Sequence, residues 1–134
     1  MIFVDTGAWV AQFSKRDQYH ADGTKIFAQL RRNRALLSTS TPVLYETITF
    51  LTREVGASTA IKAGRQIIGW KGLRIFRPAL SDEVVAFSLM EKFSAQPIGF
   101  VDCLSFALMR NQGIATAFTF DRHFEVAGFS VLTT

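Results

Sequence analysis

Four acidic residues carry the chemistry this sequence offers: Asp5, Glu46, Asp102 and Asp121. Asp5 follows the apolar run Ile2-Phe3-Val4, and Asp121 follows a second apolar run over residues 115–120, so each stands where a buried strand would end. Either aspartate also suits a simpler role, capping the helix that comes next. Glu46 lies at helical spacing between Val43 and Phe50, on an apolar stripe opposite the Leu44/Ile48/Leu51/Val55 face. A glutamate there is either at the rim of the core or held by something positive. Asp102 is set in Ile98-Gly99-Phe100-Val101-Asp102-Cys103-Leu104-Ser105-Phe106-Ala107-Leu108-Met109, with Phe106 and Met109 on its helical face. An unpaired carboxylate in such surroundings is costly or takes up a proton. A helix N-terminus offsets about 0.3–1 kcal/mol of that cost. No Lys or Arg lies within four residues of Asp102, which leaves a distant salt bridge or a bound cation to supply the rest.

If the four acids meet at one sheet edge, like charges raise each other's pKa and cations are needed to keep them ionised. Oxygen-only ligands suit Mg²⁺ or Mn²⁺, which hold one or two carboxylates, several waters and a substrate phosphate. The matching chemistry is hydrolysis of a phosphodiester by metal-activated water. The surface charge agrees. Fifteen Lys and Arg oppose eleven Asp and Glu, a formal +4, and setting four acids aside leaves seven against fifteen. A polyanion would meet a distinctly basic molecule.

The 134 residues suit one domain spanning 1–134. The lone Cys103 excludes an internal disulfide and a cysteine zinc site, and favours a reducing compartment. No apolar run approaches the roughly 18 residues that span a bilayer, and Met1-Ile2-Phe3-Val4-Asp5 has no signal character. The expectation is a cytoplasmic protein with no membrane partner.

Strands are expected at 2–4, 35–39, 73–76, 115–120 and 129–132. Amphipathic helices are expected at 8–13, 20–32, 41–55 (Thr41 as N-cap, Pro42 at the first helical position), 58–70, 81–93 and 100–112. The 58–70 helix should bury Ile61, Ile67 and Ile68, and Ser81-Asp82-Glu83 should cap the one after it. Such alternation predicts an α/β fold, three layers around a central, mostly parallel sheet of four to five strands. Ligands of such sheets bind at the carboxyl ends of the strands, where Asp5 and Asp121 fall.

Four segments in this order resemble the PIN domain, the nuclease fold of the VapC toxins of bacterial type II toxin–antitoxin pairs. They are Val4-Asp5-Thr6, Val43-Leu44-Tyr45-Glu46-Thr47-Ile48-Thr49-Phe50-Leu51, Phe100-Val101-Asp102-Cys103-Leu104-Ser105-Phe106-Ala107 and Thr119-Phe120-Asp121-Arg122-His123-Phe124. The resemblance implies a metal-dependent endoribonuclease in which Asp5, Glu46, Asp102 and Asp121 hold one or two Mg²⁺ or Mn²⁺ ions. Thr6 and Thr119 match hydroxyls near that site. Many relatives carry a further acid where this chain has His123, which leaves a second ion open and His123 as a weak ligand, a phosphate contact or a polar loop residue. The resemblance also implies RNA as substrate, an antitoxin lying over the acidic cleft, and a homodimer. Trp9, Phe13, Phe50 and Trp70 suit either that interface or the core.

Among the cations, Arg122 is best placed to touch RNA, beside Asp121. Lys15, Arg16, Arg31, Arg32, Arg34, Lys71, Arg74 and Arg77 cluster in sequence and suit either RNA or solvent. Two other readings compete. Asp5-Thr6-Gly7-Ala8 spells the nucleophile motif of retroviral-type aspartic proteases, an all-β fold that the helical periodicity contradicts. A receiver-like or RNA-binding module without catalysis would use the acids only to hold metal or phosphate, but neither G-x-G-x-x-G nor G-x-x-x-x-G-K-[ST] occurs. Cys103 points about 100° away from Asp102 on a helix and reads as core.

Overall fold

The computed structural model describes residues 1–132. Five strands form one sheet: β1 (Ile2–Val4), β2 (Leu37–Ser40), β3 (Arg74–Phe76), β4 (Thr116–Phe118) and β5 (Ser130–Leu132). Their order is β3-β2-β1-β4-β5, and every pair is parallel. The chain builds outward from β1 through β2 to β3, then returns to lay β4 on the other side of β1. That reversal makes β1/β4 the topological switch point, where an open parallel sheet forms a crevice at its carboxyl edge.

Seven helices connect the strands: α1 (Thr6–Phe13), α2 (His20–Arg32), α3 (Thr41–Val55), α4 (Ala57–Ile68), α5 (Leu80–Lys92), α6 (Phe100–Gln112) and α7 (His123–Val126). Helix α1 packs on both α2 and α3, α3 packs on α4, and α5 pairs with α6. Successive strand residues point to opposite faces. Phe3 and Val4 are both fully buried, as are all four residues of β2, so both faces of the central strands are covered. This is the expected α/β arrangement, and its seven helices rule out the all-β protease.

Local differences from the sequence reading have physical causes. Strand β2 begins at Leu37 and runs through the polar Ser38-Thr39-Ser40, leaving Leu36 exposed. Those buried hydroxyls are satisfied. Ser38 Oγ donates to Ile2 O, Thr39 Oγ1 donates to Val4 O (2.8 Å), and the Trp9 indole N–H donates to Thr39 Oγ1 (3.2 Å). Ser40, not Thr41, caps α3, its Oγ accepting from the Val43 N–H. Helix α4 stops at Ile68 and leaves Trp70 outside it. Its packed face is Ala60, Ala63, Gly64 and Ile67, while Ile61 and Ile68 face outward. Helix α5 starts a residue early, with the Ala79 N–H donating to Asp82 Oδ2 (2.8 Å). Strand β4 ends at Phe118, and the one-turn α7 after it was not foreseen.

Trp9 belongs to the core, stacked on Phe27 and edge-on to Trp70. Helices α1 and α2 meet so closely that a Cβ at Gly23 would lie 2.7 Å from the Ala11 Cβ, which only glycine tolerates.

Candidate active site

Two of the acids stand just past strands and two in the opening turns of helices. Asp5 occupies the N-cap position of α1, directly after β1, yet its side chain makes no capping bond. Instead its Oδ2 accepts a 2.9 Å hydrogen bond from the Thr119 hydroxyl, and Thr119 Oγ1 in turn accepts from the Asp121 N–H (3.0 Å). One fully buried threonine thus ties the loops after β1 and β4 together across the switch point. Asp102 stands in the first turn of α6, and Glu46 in the second turn of α3, where its Oε1 accepts from the Thr6 hydroxyl at 2.9 Å. Glu46 is exposed, neither in the core nor against a cation.

Asp5, Thr6, Glu46, Asp102, Thr119 and Asp121 all line one cleft of about 380 Å³. The electrostatics follow from that crowding. Burial pushes the Asp5 carboxyl up to about 6, held back in part by the Thr6 N–H and the Thr119 hydroxyl, and raised further by Asp121 and Glu46. Burial pushes Asp102 up to about 8, with added repulsion from Asp5, Asp121 and Glu46 and a hydrogen bond to Asp121. A carboxylate cluster that retains protons near neutral pH is one that a divalent cation would ionise. Burial also raises the neighbouring Cys103 thiol, so it stays neutral as core.

One ligand atom from each of Asp102, Asp121 and His123 lies within 4.8 Å of the others, a donor set that fits a metal ion. Asp121 Oδ1 accepts from the His123 N–H at 2.9 Å, closing an Asx turn into α7. The His123 Nδ1 lies 2.9 Å from the same oxygen but off the line of a hydrogen bond, a buried nitrogen with no hydrogen-bond partner. Asp5 and Glu46 line the same cleft outside that trio.

Sequence reasoning missed the rest of the wall. Asp17, Gln18 and Tyr19, from the α1–α2 loop, join Phe50 and Phe120 around the cleft. Tyr19 stacks on Phe120 with centroids 4.3 Å apart and rings 2° from parallel. Phe120 carried a signal, lying beside Asp121; the loop residues carried none. Arg122 lines a neighbouring cavity with Tyr19 and Asp121 rather than the acid cleft itself.

The pattern that defines the PIN domain matches residues 2–130. The chain belongs to the PIN domain family. This PIN domain is 33% identical over 129 residues to the 23S rRNA-specific endonuclease VapC20 of Mycobacterium tuberculosis, in both strains CDC 1551 and H37Rv, with 96% of this chain and 95% of the relative covered. The crystal structure of Mycobacterium tuberculosis VapC20, titled a sarcin–ricin loop cleaving toxin, superposes with a TM-score of 0.88 at 32% identity, over 96% of each chain. The fold is therefore that of the VapC-like PIN domains.

Proposed function

We propose that this PIN domain is an endoribonuclease toxin of a type II toxin–antitoxin pair, using Mg²⁺ or Mn²⁺ to hydrolyse RNA phosphodiesters. The observation that carries this reading is the convergence of four acids, from four separate elements, on one cleft at the switch point. Asp5 and Asp102 would hold an ion directly, and Asp121, with His123 beside it, completes that shell or holds a second ion. A bound divalent ion supplies a more acidic water and neutralises charge building on the phosphate. Glu46 is the exposed carboxylate, tethered by the Thr6 hydroxyl, and it orients the attacking water and accepts its proton. The water oxygen bonds to phosphorus as the bond to the leaving 3′ oxygen breaks. Thr119 holds Asp5 and the Asp121 backbone in register, so the two strand ends keep a fixed separation.

Similarity to a 23S rRNA-specific endonuclease makes structured ribosomal RNA the first substrate to try, and an antitoxin covering the cleft the first protein partner. A second copy of the chain is the further partner. Leu80, Val84 and Phe87 lie at i, i+4 and i+7 on α5 and are 76%, 59% and 60% exposed, an apolar stripe suited to self-association. No helix among the described residues is long and apolar enough to cross a membrane.

The test is cleavage of a 23S rRNA fragment by purified protein with Mg²⁺ or Mn²⁺, with EDTA, and by Asp5→Asn and Asp102→Asn. Cutting that needs the ion and both carboxylates supports the reading. Equal cutting by the variants removes the site, and cutting in EDTA removes the metal.

A further inference from the structure

The sheet has a second charged end. At its amino edge, the turn from α2 into β2 and the turn from α4 into β3 stand side by side around Trp70. Two adjoining cavities, of about 510 and 550 Å³, share Arg31, Trp70 and Lys71; Arg34 completes the rim of one and Arg65 that of the other. Neither lining contains an Asp or Glu. Among the described residues no Lys or Arg lies within 4.0 Å of a carboxylate, so these four cations have no built-in counter-ion.

Three features show an arranged surface rather than a solvated helix face. The Arg31 guanidinium carbon lies 4.2 Å from the centroid of the Trp70 ring, a cation–π contact that positions the charge at the cleft. Trp70 is itself wedged against Trp9 and Phe27, so that platform is anchored in the core. Arg34 has a φ of 54°, the sole positive value outside glycine among the described residues, and Gly72 across the cleft has a φ of 81°. The Arg34 conformation ends α2 in a Schellman turn, with the Arg34 N–H bonded to Arg31 O (3.1 Å) and the Ala35 N–H to Leu30 O (2.9 Å), so the backbone that carries Arg34 is fixed at the rim. The buried Leu30 and Leu37, with Leu73, add an apolar lining to the cavity of about 510 Å³.

We infer that this cleft is a second nucleic-acid contact, binding backbone phosphates of a folded RNA whose scissile strand enters the acid cleft at the opposite edge. The inference rests on the reading of the acid cleft as a nuclease site. A metal-loaded acid cleft and an unpaired cation cleft both bind phosphate, so one polyphosphate chain satisfies both ends, whereas an acidic peptide satisfies only the basic one. A domain of this size is about 30–35 Å across, so short RNA engages the acid cleft alone and a folded RNA reaches both.

The test uses non-cleaving Asp102→Asn protein for binding and the wild-type background for cleavage. A labelled rRNA fragment of roughly 80 nucleotides and a six-nucleotide oligomer, both sizes set by that span, are titrated by fluorescence anisotropy across a salt series. Arg34→Ala/Lys71→Ala leaves the Trp70 platform untouched, and Arg31→Ala is added to it. We expect each lost cation to reduce the log–log salt slope for the fragment by about 1, with a drop of roughly tenfold in affinity for the double variant. Fragment cleavage falls in parallel, and the oligomer's binding and cleavage change less than about twofold. Arg34→Lys/Lys71→Arg, which keeps the charges, restores the slope. Equal losses for fragment and oligomer, or no loss for either, overturn the inference. Unchanged RNA binding with lost binding of a poly-glutamate peptide also overturns it and gives the cleft to an acidic protein segment. The two readings fail separately: a slope change without any cleavage keeps this contact and removes the nuclease, and cleavage without a slope change does the reverse.

Discussion

The two edges of the sheet gather like charges by opposite means. At the carboxyl edge, short side chains are held just past β1 and β4 and in the opening turns of α3 and α6, and burial raises the carboxyls of Asp5 to about 6 and Asp102 to about 8. At the amino edge, Arg31, Arg34, Arg65 and Lys71 are exposed, and their long stems let the charges stay in water. The acid edge is costly to the fold when its buried carboxyls ionise unpaired; the basic edge costs little. The difference separates a site built for geometry from a surface built for attraction.

The largest effect that would sharpen this contrast is catalytic. Asp5→Asn or Asp102→Asn should lower single-turnover RNA cleavage on the order of 10²–10³-fold, and a variant within threefold of wild type would break the assignment. The second effect is on stability, with the opposite sign. The carboxyls of Asp5 and Asp102 sit at about 6 and about 8 in the fold against 3.8 for free groups. The folded state therefore binds protons more tightly than the unfolded chain. Their contribution is fully present below about pH 4 and is lost as pH rises toward 8. Without divalent ions, Asp102→Asn should be more stable than wild type at pH 8, by about 2 kcal/mol, or several degrees in Tm. The gap should close toward pH 4, and Mn²⁺ should raise the Tm of wild type more than that of the variant. A variant less stable than wild type at pH 8 contradicts the buried-charge account.

A smaller effect is expected at the relay. Thr119→Val removes the hydroxyl that Asp5 accepts from, and cleavage should fall roughly tenfold, with the required Mn²⁺ concentration rising in the same titration. Smallest of all, Arg34→Ala/Lys71→Ala should shift stability by less than about 0.5 kcal/mol in chemical denaturation. A larger loss would mean that the basic edge is structural.

The acid edge was legible because its residues break local rules. Asp102 is a carboxylate on an apolar helix with no nearby cation, and Asp5 and Asp121 stand where strands stop, so burial and topology made them conspicuous one at a time. The basic edge was visible only as charges along the chain; that Arg31 and Lys71 line one cleft depends on Trp70 between them, whose position is set by Trp9 and Phe27, far off in sequence. Tyr19 and Asp17 escaped notice for the same reason, since a loop's wall is defined by what it folds against. Strand β2 was displaced because hydropathy favours Leu36 over Ser40, whereas the fold keeps the serine inside by giving its hydroxyl an N–H to accept from. His123 moved the other way, from loop residue toward the metal group, once α7 aimed it at Asp121.

The hydrogen bond from Thr119 to Asp5 spans 114 positions of the chain. Strand β1 is made before β4, yet waits for that later neighbour before one side of it is covered. A nascent polypeptide lacking the final quarter owns Asp5 and Glu46 but neither Asp102 nor Asp121, and no Thr119 to hold Asp5. Such a fragment cannot assemble the four-acid cleft, so whatever chemistry that cleft performs begins only once β4 and the turn after it have been made.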